Sequence, residues 1–352
     1  MKHFLLQLKQ FIYAQLVIYF LVLLLLIPSS AFAIKYKHIV AFGDSLSDHY
    51  NLKTYIDDAR ESMTNGDVWI EYLSRELNAT LDNNAFIGAM TRNHLMDDIQ
   101  AQSDSGTIPQ LGLIGQVDNY IAEKIEFNPD ETLFSIWIGS NNLIKFSKAE
   151  FGDMTLLQMI SAAMADIGEA IVKLCNIGAT QFIVMNLPDF GKFPWFSKGS
   201  AVEVNAVSLL SQKYNETLML TVASLLMNKP EIKLYCFDMV QIMNDILEKE
   251  IFPNVTDTYK VLDDTGYPTD NTNGPAENYL FWDGVNPTTK AHAYIANVVA
   301  TGVVYDGFYT KQALDEAVLE ERIKWDINKD NVLGLEEAIH ALKTSAELSL
   351  NK

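Results

Sequence analysis

An α/β fold, with one parallel sheet covered on both faces, is what two features of the chain predict. Strand-length apolar runs recur about every 45–50 residues, at Ile39–Phe42, Asn84–Ile87, Thr132–Ile138, Gln181–Met185 and Ile232–Phe237. Longer stretches of helical periodicity lie between or after them, chiefly Val68–Leu77, Leu156–Leu174, Ala206–Met227 and Val240–Glu250. Strands alternating with helices are βαβ units, and connections of this length suit right-handed crossovers between parallel neighbours.

The first run leads into the stretch that organises the rest. Ile39 to Phe42 reads as a strand buried on both faces. Gly43 then allows a sharp turn, and Asp44, Ser45 and Ser47 favour a helix start. A serine on such a corner projects past the carboxyl end of the sheet, where open α/β folds bind ligands. Free N–H groups of the following turn can stabilise negative charge developing beside it. The other strands end in comparable ways. Asn83–Ala89 places Gly88 just after the second run, and Trp137–Asn142 places Asn141 just after the third. Phe281–Thr288 leads into a last helix that opens at Pro287 and runs through Tyr294 and Val298. Thr265–Asn278, rich in Gly, Pro, Asn, Asp and Thr, is predicted as a loop, and the sheet domain is expected to end near Val304. Taken singly, each of these stretches is also compatible with ordinary turn chemistry.

Composition narrows the function. The 352 residues are 49% hydrophobic and 20% charged, as in a globular chain, with a formal net charge of −19. That charge argues against nucleic acid and against loose attraction to anionic membranes. Residues 1–33 have the pattern of a signal peptide: Lys2 and Lys9, an apolar run from Phe11 to Ile27, and an Ala31-Phe32-Ala33 cleavage pattern. Export, periplasmic or secreted, is the expectation, and an uncleaved N-terminal anchor is the alternative. The two cysteines, Cys175 and Cys236, are expected as buried free thiols.

Gly43-Asp44-Ser45-Leu46-Ser47-Asp48, the Gly88 stretch, Gly139-Ser140-Asn141 and Asp283-Gly284-Val285-Asn286-Pro287 resemble, in order and spacing, the four blocks of the GDSL, or SGNH, lipase/esterase family. Gly66–Leu73 and Asn186–Lys192 are similar to stretches of its secreted bacterial phospholipase-like members. The resemblance covers about residues 36–304 and implies an SGNH-hydrolase-like three-layer sandwich with a five-stranded parallel sheet over residues 34–305. It implies that Ser45 is the nucleophile attacking an ester carbonyl. The N–H groups of Ser45 and Gly88 and the side chain of Asn141 would form the oxyanion hole, and Asp283 would orient a histidine three residues later. The implied substrates are carboxylic esters of lipids or phospholipids, met as small molecules or at a membrane surface, with no cofactor for the hydrolysis and no obligate protein partner.

At the histidine's position this chain has Asn286. An amide does not titrate near neutral pH and cannot serve as a base. Losing a triad base costs on the order of 10⁴–10⁶ in turnover. Asn142, where the family usually has Asp, is a milder departure. His49 and His94 are close enough in the chain to Ser45 and Gly88 to border the crevice, the alternative for each being an ordinary solvated surface histidine. His38 starts the first strand at its far end, and His292 lies about 9 Å along the last helix from Asn286. Two readings stay open: an ester hydrolase with weak or rerouted base chemistry, and a degenerate member that binds an acyl or ester ligand without turnover.

Residues 306–352 read differently. A helical pattern over Lys311–Lys324 leads into Asp326–Glu337 and then a second helix. This segment resembles an EF-hand calcium loop, with Asp326, Asn328 and Asp330 at positions 1, 3 and 5, the Val332 carbonyl at 7 and Glu337 at 12. Asn331 stands where glycine is usual. The resemblance implies a structural Ca²⁺ ion with no part in ester cleavage; the alternative is an acidic helix-turn-helix without metal.

Overall fold

The computed structural model describes residues 36–54, 63–92, 111–263 and 268–304. The signal-peptide pattern, His94 and the EF-hand-like tail with Asp326, Asn328, Asp330, Val332 and Glu337 lie outside the described residues. Among the described residues, no helix is long and apolar enough to cross a membrane.

Five strands form one sheet: β1 (His38–Gly43), β2 (Thr80–Asn83), β3 (Thr132–Trp137), β4 (Gln181–Met185) and β5 (Lys233–Phe237). Their spatial order is β2-β1-β3-β4-β5, and every pairing is parallel. β3 and β4 are buried along their whole length, which their apolar composition allows. The helices are α1 (Trp69–Glu76), α2 (Leu113–Ala122), α3 (Ser140–Ser147), α4 (Leu156–Asn176), α5 (Pro194–Ser197), α6 (Ala201–Asn228), α7 (Met239–Glu248) and α8 (Thr289–Val304). α1 packs on α8, while α2 packs on α4 and α4 on α6, as right-handed crossovers require when the chain reverses direction after β2. The long helices start where the sequence supplies caps. Thr155 accepts from the N–H of Gln158, Ser200 from that of Glu203, and Asp238 from those of Val240 and Gln241.

That reversal of direction locates the site. The connection leaving β1 runs over one face and the one leaving β3 over the other, so a crevice opens between their carboxyl ends. Ser45 follows β1, and Asn141 follows β3.

Two expectations need correction. The second strand is Thr80–Asn83, not Asn84–Ile87. It is an edge strand, half exposed, and needs no continuous apolar run. Residues 84–87 instead turn over the sheet's carboxyl edge, where the Phe86 N–H donates to Gly43 O at 3.0 Å. Thr265–Asn278 is also more than a loop. Pro268–Thr272 (β8) pairs antiparallel with Lys260–Leu262 (β7), and Ala276–Asn278 is a 3-10 turn. β8 is polar and largely exposed, so it shows no apolar run in the sequence, and β7 is only three residues long. A second small pairing joins β6 (Asn254–Thr258) to β9 (Tyr279–Phe281), which delivers the chain to residues 283–286.

Both cysteines are free; Cys236 is buried, and Cys175 is only half-buried. Burial pushes the Cys236 thiol up to about 12, so it stays protonated.

Candidate active site

Gly43 is dictated by close approach. A Cβ there would sit 2.3 Å from the carbonyl oxygen of Trp137, and the Asp44 N–H donates to that same oxygen. Gln116 of α2 clamps the turn. Its Oε1 accepts from the Gly43 N–H at 2.9 Å, and its Nε2 donates to Gly43 O at 2.8 Å. After Asp44 the chain folds back, the N–H groups of Ser47 and Asp48 both donating to Asp44 O, and Ser45 is left partly exposed on the corner.

The block before α8 meets this corner. Ser45 Oγ donates to Asn286 Oδ1 at 3.0 Å. Asn286 Nδ2 donates to both oxygens of Asp283, at 3.1 and 2.9 Å. The N–H groups of Val285 and Asn286 also donate to Asp283 Oδ1, at 2.8 and 2.7 Å. Asp283 and Asn286 are both buried. The amide orientation follows from the acid: only with its NH₂ toward the carboxylate is every group paired, so the carbonyl oxygen faces the serine.

Gly88 has a positive φ of 73°, and Asn141 Nδ2 donates to the carbonyl of Ala89, the residue after it, at 2.8 Å. One hydrogen of the Asn141 amide is used in this bond, and the group carries a second. The neighbouring Asn142 takes the Thr91 N–H on its Oδ1 and donates to Thr91 Oγ1. An amide can do both at once and a carboxylate cannot, which accounts for Asn at this position. Gly139, at φ 116°, lets the chain leave β3 against Tyr214 of α6, whose hydroxyl donates to Ile138 O at 2.9 Å. A Cβ at residue 139 would lie 2.1 Å from that hydroxyl oxygen.

The structure thus brings Ser45, Asn286 and Asp283 into one hydrogen-bonded chain and ties Asn141 to the Gly88 segment. His49 is engaged elsewhere. Its Nδ1 lies against Glu71 Oε1, in a contact that lacks hydrogen-bond alignment, and its ring lies on that of Tyr50 at 4.3 Å. His38 Nδ1 bonds Thr80 Oγ1 at the amino end of β1. His292 is buried in α8, and burial pulls its imidazole down to about 3, so it is neutral.

Single ligand atoms of His49, Asp67 and Glu71 lie within 4.8 Å of one another. All three have protein partners: Asp67 pairs with Arg75 at 2.7 Å, and Glu71 accepts from the Val68 N–H at 2.9 Å as well as meeting His49.

Four residues that build the site carried no separate signal in the sequence. Gln116 and Tyr214 act from 73 and 76 residues away in the chain. Asp44 and Asp48 lie within the first block, but nothing in it announced that both are buried. Burial raises both carboxyl groups to about 6 against the hydrogen bonds they accept.

Comparison with known proteins identifies the family. A family described as GDSL-like Lipase/Acylhydrolase matches residues 39–299. The thermolabile hemolysin of Vibrio parahaemolyticus is 26% identical over 281 residues, which cover 73% of this chain and 62% of that protein. The phosphatidylcholine-sterol acyltransferase of Aeromonas hydrophila is 27% identical over 214 residues, covering 58% of this chain and 59% of its own. The chain therefore spans about three fifths of the length of these relatives. Among solved structures, a lipolytic G-D-S-L family protein from Veillonella parvula is 14% identical at a TM-score of 0.41, with 74% of this chain and 94% of that one covered. An acetylxylan esterase from Geobacillus stearothermophilus has the same identity and TM-score, with coverages of 80% and 99%. Since the family match runs from the first strand into the last helix, the protein belongs to the GDSL-like lipase/acylhydrolase family.

Proposed function

We propose that this chain is a serine acyl-ester hydrolase in which the base of the usual triad is replaced by an amide, so that turnover is slow. The observation that carries this reading is the Ser45–Asn286–Asp283 chain of hydrogen bonds. It holds the Ser45 hydroxyl as a histidine would, yet Asn286 cannot retain the proton it is offered. In acylation Ser45 Oγ bonds to the ester carbonyl carbon while the bond to the leaving alcohol breaks. The hydroxyl proton passes to solvent or to the departing alkoxide. Asn141 and the N–H groups of Ser45 and Gly88 would receive the oxyanion. Water then hydrolyses the acyl-serine, or a second alcohol takes the acyl group. The names of the two curated relatives, a hemolysin and a phosphatidylcholine-sterol acyltransferase, support lipid or phospholipid esters as substrates.

Asn286→His decides the matter when compared with the native chain on short and long acyl esters, with a fluorophosphonate probe for Ser45. The variant should gain on the order of 100-fold or more in turnover, with Ser45 labelled in both proteins. Equal rates would mean that another group moves the proton. An unlabelled Ser45 in both proteins would favour a non-catalytic ester binder, a reading that the same departure at Asn286 supports.

A further inference from the structure

The acids flanking the nucleophile, Asp44 and Asp48, stand outside the Ser45–Asn286–Asp283 relay, yet both are buried. Their partners fall into a pattern. Asp44 Oδ2 accepts from Ser140 Oγ, and its Oδ1 accepts from the Leu46 N–H at 3.1 Å. Ser140 immediately precedes Asn141. Asp48 Oδ2 accepts from the Ile87 N–H at 2.8 Å, and its Oδ1 accepts from the Asn51 N–H at 2.9 Å. Ile87 immediately precedes Gly88. Each carboxylate thus joins the serine's own turn to the residue just before one oxyanion donor.

We propose that Asp44 and Asp48 are positioning residues, one on each side of Ser45, that fix the two arms of its anion pocket: Asp44 the Asn141 arm, Asp48 the Gly88 arm. The donors follow three different strands, Ser45 and Gly88 in turns and Asn141 in the first turn of α3, and sheet pairing ends before each of them. Gly88 has glycine's backbone freedom and a positive φ, so its N–H needs an outside restraint to hold one direction. Asn51 and Asn83 reinforce that restraint. Asn83 Nδ2 donates to Ser47 O at 2.8 Å, and Asn51 Nδ2 to Ala85 O at 2.7 Å. Residue type supports the assignment at position 48. Two backbone N–H groups must be accepted at once from opposite sides, which needs two acceptor oxygens; an amide of the same shape has one. Burying a carboxylate is costly, and a preorganised pocket is a use that offsets the cost.

The kinetic half of this inference rests on the hydrolase reading; the structural half does not. Asp48→Asn keeps the shape and removes one acceptor. Hydrogen exchange at the segment spanning residues 84–90, followed by mass spectrometry in the otherwise native chain, should speed up about tenfold or more, while α4 exchanges as before. In the Asn286→His background the same substitution should lower kcat about tenfold or more and leave KM within about twofold, because a displaced donor is felt in the transition state. Ser140→Ala, which deletes one oxygen atom, tests the Asp44 arm by the same kcat-against-KM split and serves if Asp48→Asn does not fold. Unchanged exchange at residues 84–90 would overturn the Asp48 arm. Faster exchange with unchanged kcat would overturn its positioning role. If Asn286→His is itself inactive, the hydrolase reading fails, and exchange alone decides whether the restraint exists.

Discussion

Asn286 Oδ1 accepts the Ser45 hydroxyl at 3.0 Å while its Nδ2 donates to both oxygens of Asp283. The geometry is that of a proton relay, and the chemistry of an amide stops the relay at its centre. An amide side chain fixes the hydroxyl's direction without raising its nucleophilicity.

The pH dependence of turnover should reflect that stop. With no titrating base on Ser45, the native chain's kcat/KM should climb steadily with hydroxide between pH 6 and 9, without a plateau set by an imidazole. In Asn286→His an inflection should enter near pH 6.5, shifted by the neighbouring Asp283, with a plateau above it. A stopped assay on a soluble acyl ester across this range distinguishes the two curves. An inflection near neutrality in the native chain would point to a histidine elsewhere.

Asp283 should matter to stability as much as to orientation. Its carboxylate accepts the N–H groups of Val285 and Asn286 and the Asn286 amide inside a buried turn. Asp283→Ala strands these donors and should cost about 3 kcal/mol or more in a urea titration. Asp283→Asn keeps one acceptor oxygen and should cost less.

The parts of this arrangement that lie close together in the chain were legible in the sequence. Asp283 and Asn286 share one turn, and Ser45 announces itself by following an apolar strand and a glycine. The second strand lies away from the apolar run for a physical reason. Phe86 and Ile87 are apolar because they cover the sheet's carboxyl edge, while the true strand at the sheet's margin is polar Thr80-Leu81-Asp82-Asn83. Residues acting across the fold left no local trace. Gln116 looks like any polar position of α2 until its amide is found spanning both backbone groups of Gly43. Periodicity reports which way a side chain faces, and not what it meets.

Asp44 gives a stability prediction whose sign is opposite to that of most acids. Its carboxyl is raised from 3.8 to about 6 by burial. Between these values the folded chain holds a proton that the unfolded chain has released, so stability falls as pH rises from about 4 to about 6 and stays lowered above that. A shift of this size corresponds to about 3 kcal/mol. Asp44→Asn keeps an acceptor for the Leu46 N–H and can donate to Ser140 Oγ. It should therefore raise the urea midpoint relative to the native chain at pH 8, with the difference vanishing by pH 4. A difference independent of pH would refute the burial cost.

His292 should act in the contrary direction. It is buried in α8, its Nδ1 has no hydrogen-bond partner among the described residues, and burial lowers its imidazole from 6.5 to about 3. Below pH 6.5 the unfolded chain takes up a proton that the folded chain refuses until about pH 3. The neutral ring's contribution is therefore present above pH 6.5 and is lost progressively as the pH falls through that window. His292→Leu is close in volume and cannot be protonated, so the variant should gain on the native chain as the solution is acidified. Measured as a difference between the two proteins, the opposing contributions of Asp44 and Asp48 cancel. Urea midpoints at pH 7, 5.5 and 4.5 should then show the gap widening in favour of the variant at each step. A gap that stays constant would mean that the ring takes up its proton in the folded chain, and that water or a side chain reaches Nδ1.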